Sequence, residues 1–317
     1  MTAKLARTIT WNSSKQTYYT ANLLVDRGME DDCYRAYSYF RWADNVIDEE
    51  CQTRSERMDF ISRQIHLVSK LCDGLQIDDL SPEEELIADL IRHDGEGSCG
   101  LRSYVRNFLS ILEFDARRKD RYINQEELTW YSDRLGIAVT DAIQHFIGHG
   151  HEYPEDERRY LAATAAHIVH MLRDMLDDIQ EGYINIPSEY LSEQGVAPED
   201  LQSLAALCEP VALRSFVKIQ IDLARRYFAL GKEYLDTLDV LRCKIAGHLY
   251  CLRFEGVMDT IENDGYILRS EYAERRKLGT FFKSVELVVS VSVCHVVQKI
   301  GRLFGNQNQS CELNPSS

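Results

Sequence analysis

Two stretches, Arg41-Trp42-Ala43-Asp44-Asn45-Val46-Ile47-Asp48-Glu49-Glu50 and Leu172-Arg173-Asp174-Met175-Leu176-Asp177-Asp178, each set a pair of aspartates four residues apart. On a helix that spacing stacks both carboxylates on one face, about 6 Å apart. Like charges so placed destabilise a bare helix. The apolar residues inside each pair, Val46 and Ile47 in one and Met175 and Leu176 in the other, imply helices that are partly buried. A buried carboxylate needs a cation or hydrogen bonds. A hard divalent cation meets that need, and Mg²⁺ takes oxygen ligands while keeping several waters. Arg41 and Arg173 stand three residues and one residue before their pairs. One such pair usually marks a solvated face; two, each with an arginine and apolar flanks, favour a metal site, and spacing alone leaves both readings open.

Outward from these stretches the chain reads as helix. Tyr34, Tyr37, Phe40 and Ile47, and then Met58 to Ile65, carry three- and four-residue apolar spacing. Ser81-Pro82-Glu83-Glu84-Glu85 has a serine cap, a proline in the first turn and acidic residues after it. Asn124-Gln125-Glu126-Glu127 opens a helix that runs through Tyr131 towards His145. Further helices are predicted over about 155–180, 209–237, 240–264 and 270–304, although the valine-rich run 285–297 also suits a strand. Residues 183–200 read as loop with a short helix. No linker and no repeat of 20–50 residues divides the chain. The simplest organisation is a flexible N-terminus over 1–13, one all-α domain over 14–304, and a polar disordered tail over 305–317.

The net charge of −15 across 317 residues argues against nucleic acid as a partner. An acidic protein still binds an anionic substrate if metal cations bridge the two. Nine cysteines, without paired spacing, read as reduced thiols in a cytoplasmic protein. The apolar run 285–297 is about 13 residues long and contains Glu286 and His295, against about 20 for a spanning helix. No transmembrane segment is therefore expected; contact with a membrane surface, and the choice between monomer and homodimer, stay open. His145, His149 and His151 read as an ordinary helix end and loop.

Several metal ions between the two aspartate pairs would form a positive cage that a diphosphate completes. An allylic C–O bond breaks readily once the departing diphosphate is neutralised, with metals as Lewis acids and arginines donating charge-assisted hydrogen bonds. The carbocation left behind needs an apolar, aromatic cavity, which 17 tyrosines and 11 phenylalanines can build.

At this point the residues resemble the squalene/phytoene synthases, the head-to-head prenyltransferases. Ser14-Lys15 with Tyr18 and Tyr19 is similar to the family's N-terminal element. Tyr34 to Glu49 and Leu172 to Pro187 resemble its two aspartate segments, and Tyr131-Ser132-Asp133-Arg134 its pocket tyrosine. Met258 to Tyr266 and Arg275-Arg276-Lys277-Leu278 resemble its penultimate helix and the basic segment after it. The resemblance covers about 14–280 and implies a single all-α isoprenoid synthase domain around a central cavity. It implies two or three Mg²⁺ ions on Asp44, Asp48, Asp174 and Asp178, with His170 where the family has a ligating asparagine. It implies catalytic roles for Tyr131, Arg41, Arg173 and Tyr37. It implies substrate contacts from Ser14, Lys15, Tyr18, Tyr37, Arg41, Arg173, Phe254 and Lys277, and from His167, where the family has glutamine. His167 and His170 each also read as ordinary histidines satisfied in the core.

The implied reaction condenses two farnesyl or geranylgeranyl diphosphates through a cyclopropyl diphosphate to a C30 or C40 hydrocarbon. NADPH enters only if that product is squalene. Two alternatives stand beside it: a type I terpene cyclase using one diphosphate, and a non-catalytic scaffold of the same fold. A di-iron bundle is excluded, because no Glu-x-x-His pairs occur.

Overall fold

The computed structural model describes residues 2–94, 98–195, 210–272 and 278–311, most of them helical. Helices α1 (Thr2–Ser13), α2 (Lys15–Leu24) and α3 (Glu30–Asn45) open the chain, and α3 runs on into a π-helical turn over Val46–Glu50. Then come α4 (Arg54–Cys72), α5 (Glu84–His93), α6 (Cys99–Arg118), α7 (Gln125–Phe146) and α8 (Leu161–Gln180). Short strands β1 (Arg121–Ile123) and β2 (Tyr183–Pro187) pair in parallel, and α9 (Ser188–Glu193), α10 (Pro210–Thr237), α11 (Leu241–Asn263) and α12 (Leu278–Cys311) follow. The all-α expectation holds.

The helices start where side chains can satisfy their free N–H groups. Thr53 with Glu56, and Asn124 with Glu127, form reciprocal capping boxes at α4 and α7. Ahead of α5, the Glu84 N–H donates to Ser81 Oγ (3.1 Å) and the Ser81 N–H donates to Glu84 Oε2 (3.0 Å). That is the start read from Ser81-Pro82.

The core is organised around α8. Ala162, Ala163, Ala165, Ala166, Ile168, Val169, Met171, Leu172 and Met175 are all buried on it, and it packs against α7, α10 and α11. Its small residues let neighbouring backbones come close. At Gly231 of α10 an added Cβ would lie 2.7 Å from Ala162 Cβ and 2.8 Å from Ala162 Cα, so only glycine fits without moving a helix.

Four expectations need correction. Residues 2–13 are helical, because Ala6 and Thr10 pack onto α3, where Ser38 Oγ donates to the Ala6 carbonyl (2.7 Å) and lies 3.0 Å from Thr10 Oγ1. The first residues after Gly182 form β2 rather than loop, drawn into pairing with β1. The run 285–297 is helix, as the 270–304 reading had it, but α12 continues through 305–311 of the expected tail; residues 312–317 lie outside the described residues. Within α12, Phe282–Arg302 is long and apolar enough, by length and composition, to cross a membrane, with 11% of the window buried. The shorter limit read from the sequence stopped at Val297 and left out Phe282 and Ile300, both exposed on this helix. Cys33, Cys51, Cys72, Cys99, Cys243, Cys251 and Cys294 are free thiols.

Gly231→Ala and Gly256→Ala should move stability in opposite directions. A helical Gly→Ala exchange by itself gains about 1 kcal/mol. Gly256 on α11 has open space around its Cα, so urea unfolding should show that gain. At Gly231 the clash should outweigh it, for a net loss of about 1–3 kcal/mol.

Candidate active site

Asp44 lies in the last turn of α3 and Asp48 in the π turn, where the Cys51 N–H reaches back five residues to the Val46 carbonyl (2.9 Å). Such turns interrupt helices at functional sites. Arg41 Nη1 donates to Asp44 Oδ2 (3.1 Å), and Lys119 Nζ donates to the Asp48 carbonyl (2.9 Å). Tyr183 Oη makes a short hydrogen bond to Asp48 Oδ1. In the second pair, Arg173 grips Asp174 through Nε and Nη2, each at 2.5 Å. His170 Nε2 lies 3.0 Å from Asp174 Oδ2. Asn185 Nδ2 donates to Asp178 Oδ2 (3.0 Å).

Strand β2 holds the two pairs together. Tyr183 and Asn185 alternate on one face of the strand, about 7 Å apart along it, and the first binds Asp48 while the second binds Asp178. The chain turns into β2 at Gly182, whose φ of +90° and contact with Asp120 require a residue without a side chain. Arg118, at the end of α6, anchors the strand: its Nη1 donates to Asn185 Oδ1 (2.7 Å) and its Nε to Asp115 Oδ1 (2.6 Å). Its guanidinium also lies over the rings of Tyr131 (4.7 Å) and Tyr183 (4.9 Å). Tyr131 Oη donates to Asp115 Oδ2 (3.3 Å).

Sequence reasoning missed Asp115, Arg118, Lys119, Tyr183 and Asn185. The first three sit in Asp115-Ala116-Arg117-Arg118-Lys119, which reads as a charged helix end, and nothing in that string marks Asp115 and Arg118 as buried. The last two fell in a segment read as loop. The one available signal was the alternation of Tyr183 and Asn185.

Other expected residues divide into two groups. Burial raises the Tyr37 hydroxyl above its ordinary pKa, against Arg41, a hydrogen bond with Ser14, and Arg253, so these four side chains meet. Tyr250 is pushed up to about 12 by burial and faces Arg253 and Arg173. Phe254 is buried, its ring 6.0 Å from that of His170. Lys15 and Tyr18 turn elsewhere: Lys15 Nζ lies 5.4 Å over Trp11, and Tyr18 stacks on Tyr34 at 5.4 Å. The α1 helix supplies Trp11, which draws both away from the aspartates. Lys277 lies outside the described residues. His167 is buried and its ring meets Tyr131 at 4.9 Å, but neither ring nitrogen has a hydrogen-bond partner, so it is not a satisfied core histidine.

Two clefts, of about 710 Å³ among α4, α5 and α6 and about 460 Å³ beside α1, are found away from the aspartates. A central cavity is expected between the pairs; Arg118, Tyr131 and Tyr183, which neighbour the aspartates, are buried.

A model of the squalene/phytoene synthase family matches residues 12–280. The chain belongs to the squalene/phytoene synthase family. A presqualene diphosphate synthase of Rhodopseudomonas palustris is 23% identical over 225 residues, 69% of this chain and 74% of that one. A 15-cis-phytoene synthase of Synechocystis is 22% identical over 277 residues, covering 83% and 77%. A crystal structure of a squalene synthase from Alicyclobacillus acidocaldarius superposes with a TM-score of 0.64 at 20% identity, covering 84% of this chain and 95% of that one. A ligand-bound dehydrosqualene synthase superposes with a TM-score of 0.65 at 17% identity, covering 92% and 95%. At those identities the superpositions establish the shared fold. Membership makes the chain an isoprenoid synthase and a transferase.

The electrostatics of this synthase centre on unbalanced negative charge. Burial and then the charge of Asp48 push the Asp44 carboxyl up to about 7, against Arg41. Burial and then Asp174 push Asp178 up to about 7, against Arg118. Asp174 goes the other way: burial works to raise it, but the hydrogen bonds and charges of Arg173 and His170 outweigh that and hold it below the usual range. Burial raises the Tyr131 hydroxyl well above its ordinary range; its charged surroundings include Asp115, Asp44 and Asp178, so it lies near a member of each pair. Among the described residues no three His, Cys, Asp or Glu form a ready-made metal cluster.

A carboxyl whose folded pKa is raised binds its proton more tightly when folded, so it lowers stability as pH rises from about 4, the ordinary value, to the folded value. Asp44→Asn and Asp178→Asn should therefore raise the melting temperature of the metal-free synthase at pH 8, by about 2 °C or more. The gain should vanish towards pH 4, as differential scanning fluorimetry across pH would show.

Proposed function

We propose that this synthase ionises isoprenyl diphosphates with Mg²⁺ and joins two of them head to head into a C30 or C40 hydrocarbon. One observation carries the reading: Tyr183 and Asn185, on one strand face, tie Asp48 of the first pair to Asp178 of the second. The carboxylates therefore share one site instead of facing solvent on opposite sides of the molecule.

The donor set fits Mg²⁺. Four carboxylate side chains, two of them with charge that burial and neighbours leave uncompensated, suit a hard cation. With no three-residue cluster among the described residues to hold it, such a cation would take its remaining oxygens from water and substrate phosphate, the usual habit of Mg²⁺. Asp44, Asp48, Asp174 and Asp178 would hold it, and His170, already engaged by Asp174, would stand beside it. When bound, the metal supplies Lewis-acid neutralisation of the leaving diphosphate.

The protein's own groups do the rest. Arg41, Arg173 and Arg253 surround Tyr37 and Tyr250 and offer hydrogen-bond donors to phosphate oxygens. Tyr131, held by Asp115 and Arg118, lies near both pairs, and the ring face that Arg118 does not cover would stabilise a developing allylic cation. Burial of Tyr131 and Phe254 excludes the water that would quench that cation. The first donor ionises, the second donor's 2,3-double bond attacks the allylic cation, loss of a proton from the former C1 closes the cyclopropane ring, and the resulting cyclopropyl diphosphate ionises in turn. NADPH would be consumed only for squalene. The free thiols favour action in the cytoplasm.

A second reading is ionisation of one diphosphate by a terpene cyclase of the same fold, which would use the same aspartates. A scaffold has no reason to keep repelling carboxylates.

Incubation with Mg²⁺ and farnesyl or geranylgeranyl diphosphate should release diphosphate and give an apolar product of twice the substrate's carbon number by gas chromatography–mass spectrometry. A product of unchanged carbon number supports the cyclase instead. Chelation by EDTA should stop turnover. Asp44→Asn and Asp174→Asn should each lower it about a thousandfold or more while circular dichroism stays helical; turnover unchanged in both would refute the metal site.

A further inference from the structure

His167 stands on α8 with its side chain 6% exposed and both Nδ1 and Nε2 unpartnered. Buried polar atoms in folded proteins are almost always paired, so an imidazole with two free nitrogens needs an explanation. Its ring lies edge-on to Tyr131 at 4.9 Å, and Tyr131 lies near Asp44 of one aspartate pair and Asp178 of the other. The free imidazole is thus one ring away from the place where charge develops on the substrate.

The other bases there each already have a hydrogen-bond or ion-pair partner, Asp44 among them through Arg41. Asp115 accepts from Arg118 and Tyr131. Asp174 is gripped by Arg173, and His170, half exposed, is paired with Asp174. Asp48 and Asp178 accept from Tyr183 and Asn185. Tyr131 donates its own proton to Asp115 and is a poor base.

We propose that His167 is the base that ends the reaction, taking a proton from the hydrocarbon cation left after diphosphate departure. This rests on the reading of function above. A C–H bond next to the cationic carbon breaks, its electron pair becomes the second bond of a new C=C, and the proton goes to an imidazole nitrogen. The cation is discharged without any oxidant or reductant, and the imidazolium returns its proton to the released diphosphate or to solvent as product leaves. The product class is therefore an olefin formed by proton loss, rather than a reduced hydrocarbon or an alcohol.

Burial, then His170 and Arg118, push His167 down to about 3, so the ring is neutral and able to accept a proton at any working pH. A base that weak still suffices, because a carbocation is a far stronger acid than imidazolium. The groups facing the ring are Tyr131 from α7, Arg118 from α6 and His170 from its own helix.

The test compares the full-length enzyme with His167→Gln, which keeps a polar side chain, and His167→Ala with and without added imidazole. Diphosphate release and products are measured together, with Mg²⁺ and the prenyl diphosphate. The expected result is an olefin yield per diphosphate released that falls about tenfold or more, in the range a positioned base contributes. Alcohols from water capture should rise to match, and imidazole should restore olefin in His167→Ala. An unchanged olefin fraction in both variants overturns the proposal, as does an equal fall in diphosphate release and olefin, which marks a packing role. A parent enzyme that releases no diphosphate overturns instead the reading on which the proposal rests.

Discussion

Everything in this site follows from holding like charges together. Asp44 and Asp48 come from one end of the chain and Asp174 and Asp178 from its middle, and the fold brings them to one place without neutralising them. Arg41 and Arg173 offset part of that charge. The remainder is left over, and on the proposed reading it would select a small hard cation and, through it, an anion. On that reading a less stable metal-free state accompanies the selectivity.

What keeps the pairs from separating is a polar network below them. Arg118 is almost wholly buried and satisfied by Asp115, Asn185 and two aromatic faces. A buried ion pair is weak evidence for stability, since desolvation offsets most of the attraction, but losing one partner costs about 3–5 kcal/mol. Its use here is geometric. It positions β2, and β2 carries the two side chains that reach both aspartate pairs. The five-residue strand, a minor feature of an all-helical protein, is thus the element that registers one half of the site against the other.

The aromatic lining is built on the same network. Tyr131 is fixed by Asp115 through its hydroxyl and by Arg118 across its face, so its ring orientation depends on the residues that anchor β2. His167 contacts that ring but joins none of the hydrogen bonds. His167, Asp174 and Asp178, at i, i+7 and i+11, lie along one face of α8, so the ring that meets Tyr131 and the second aspartate pair share a single helix face.

The helical class, the capped starts at Ser81 and Asn124, and both aspartate pairs with their arginines were legible in the sequence, because periodicity, capping and i,i+4 spacing are local properties of the chain. Local pattern also failed where burial decided the outcome. The helix over 2–13 needed α3 to cover Ala6 and Thr10, and Lys15 and Tyr18 turned towards Trp11 on that same helix. Asp115, Arg118, Tyr183 and Asn185 carry no mark in the sequence, since a buried charge and an exposed one are spelled alike. Which carboxylates face each other, which arginine is sealed beneath them, and which histidine is left without a partner depend on contacts between residues more than a hundred positions apart or on separate helices. Only the packed tertiary structure sets those contacts.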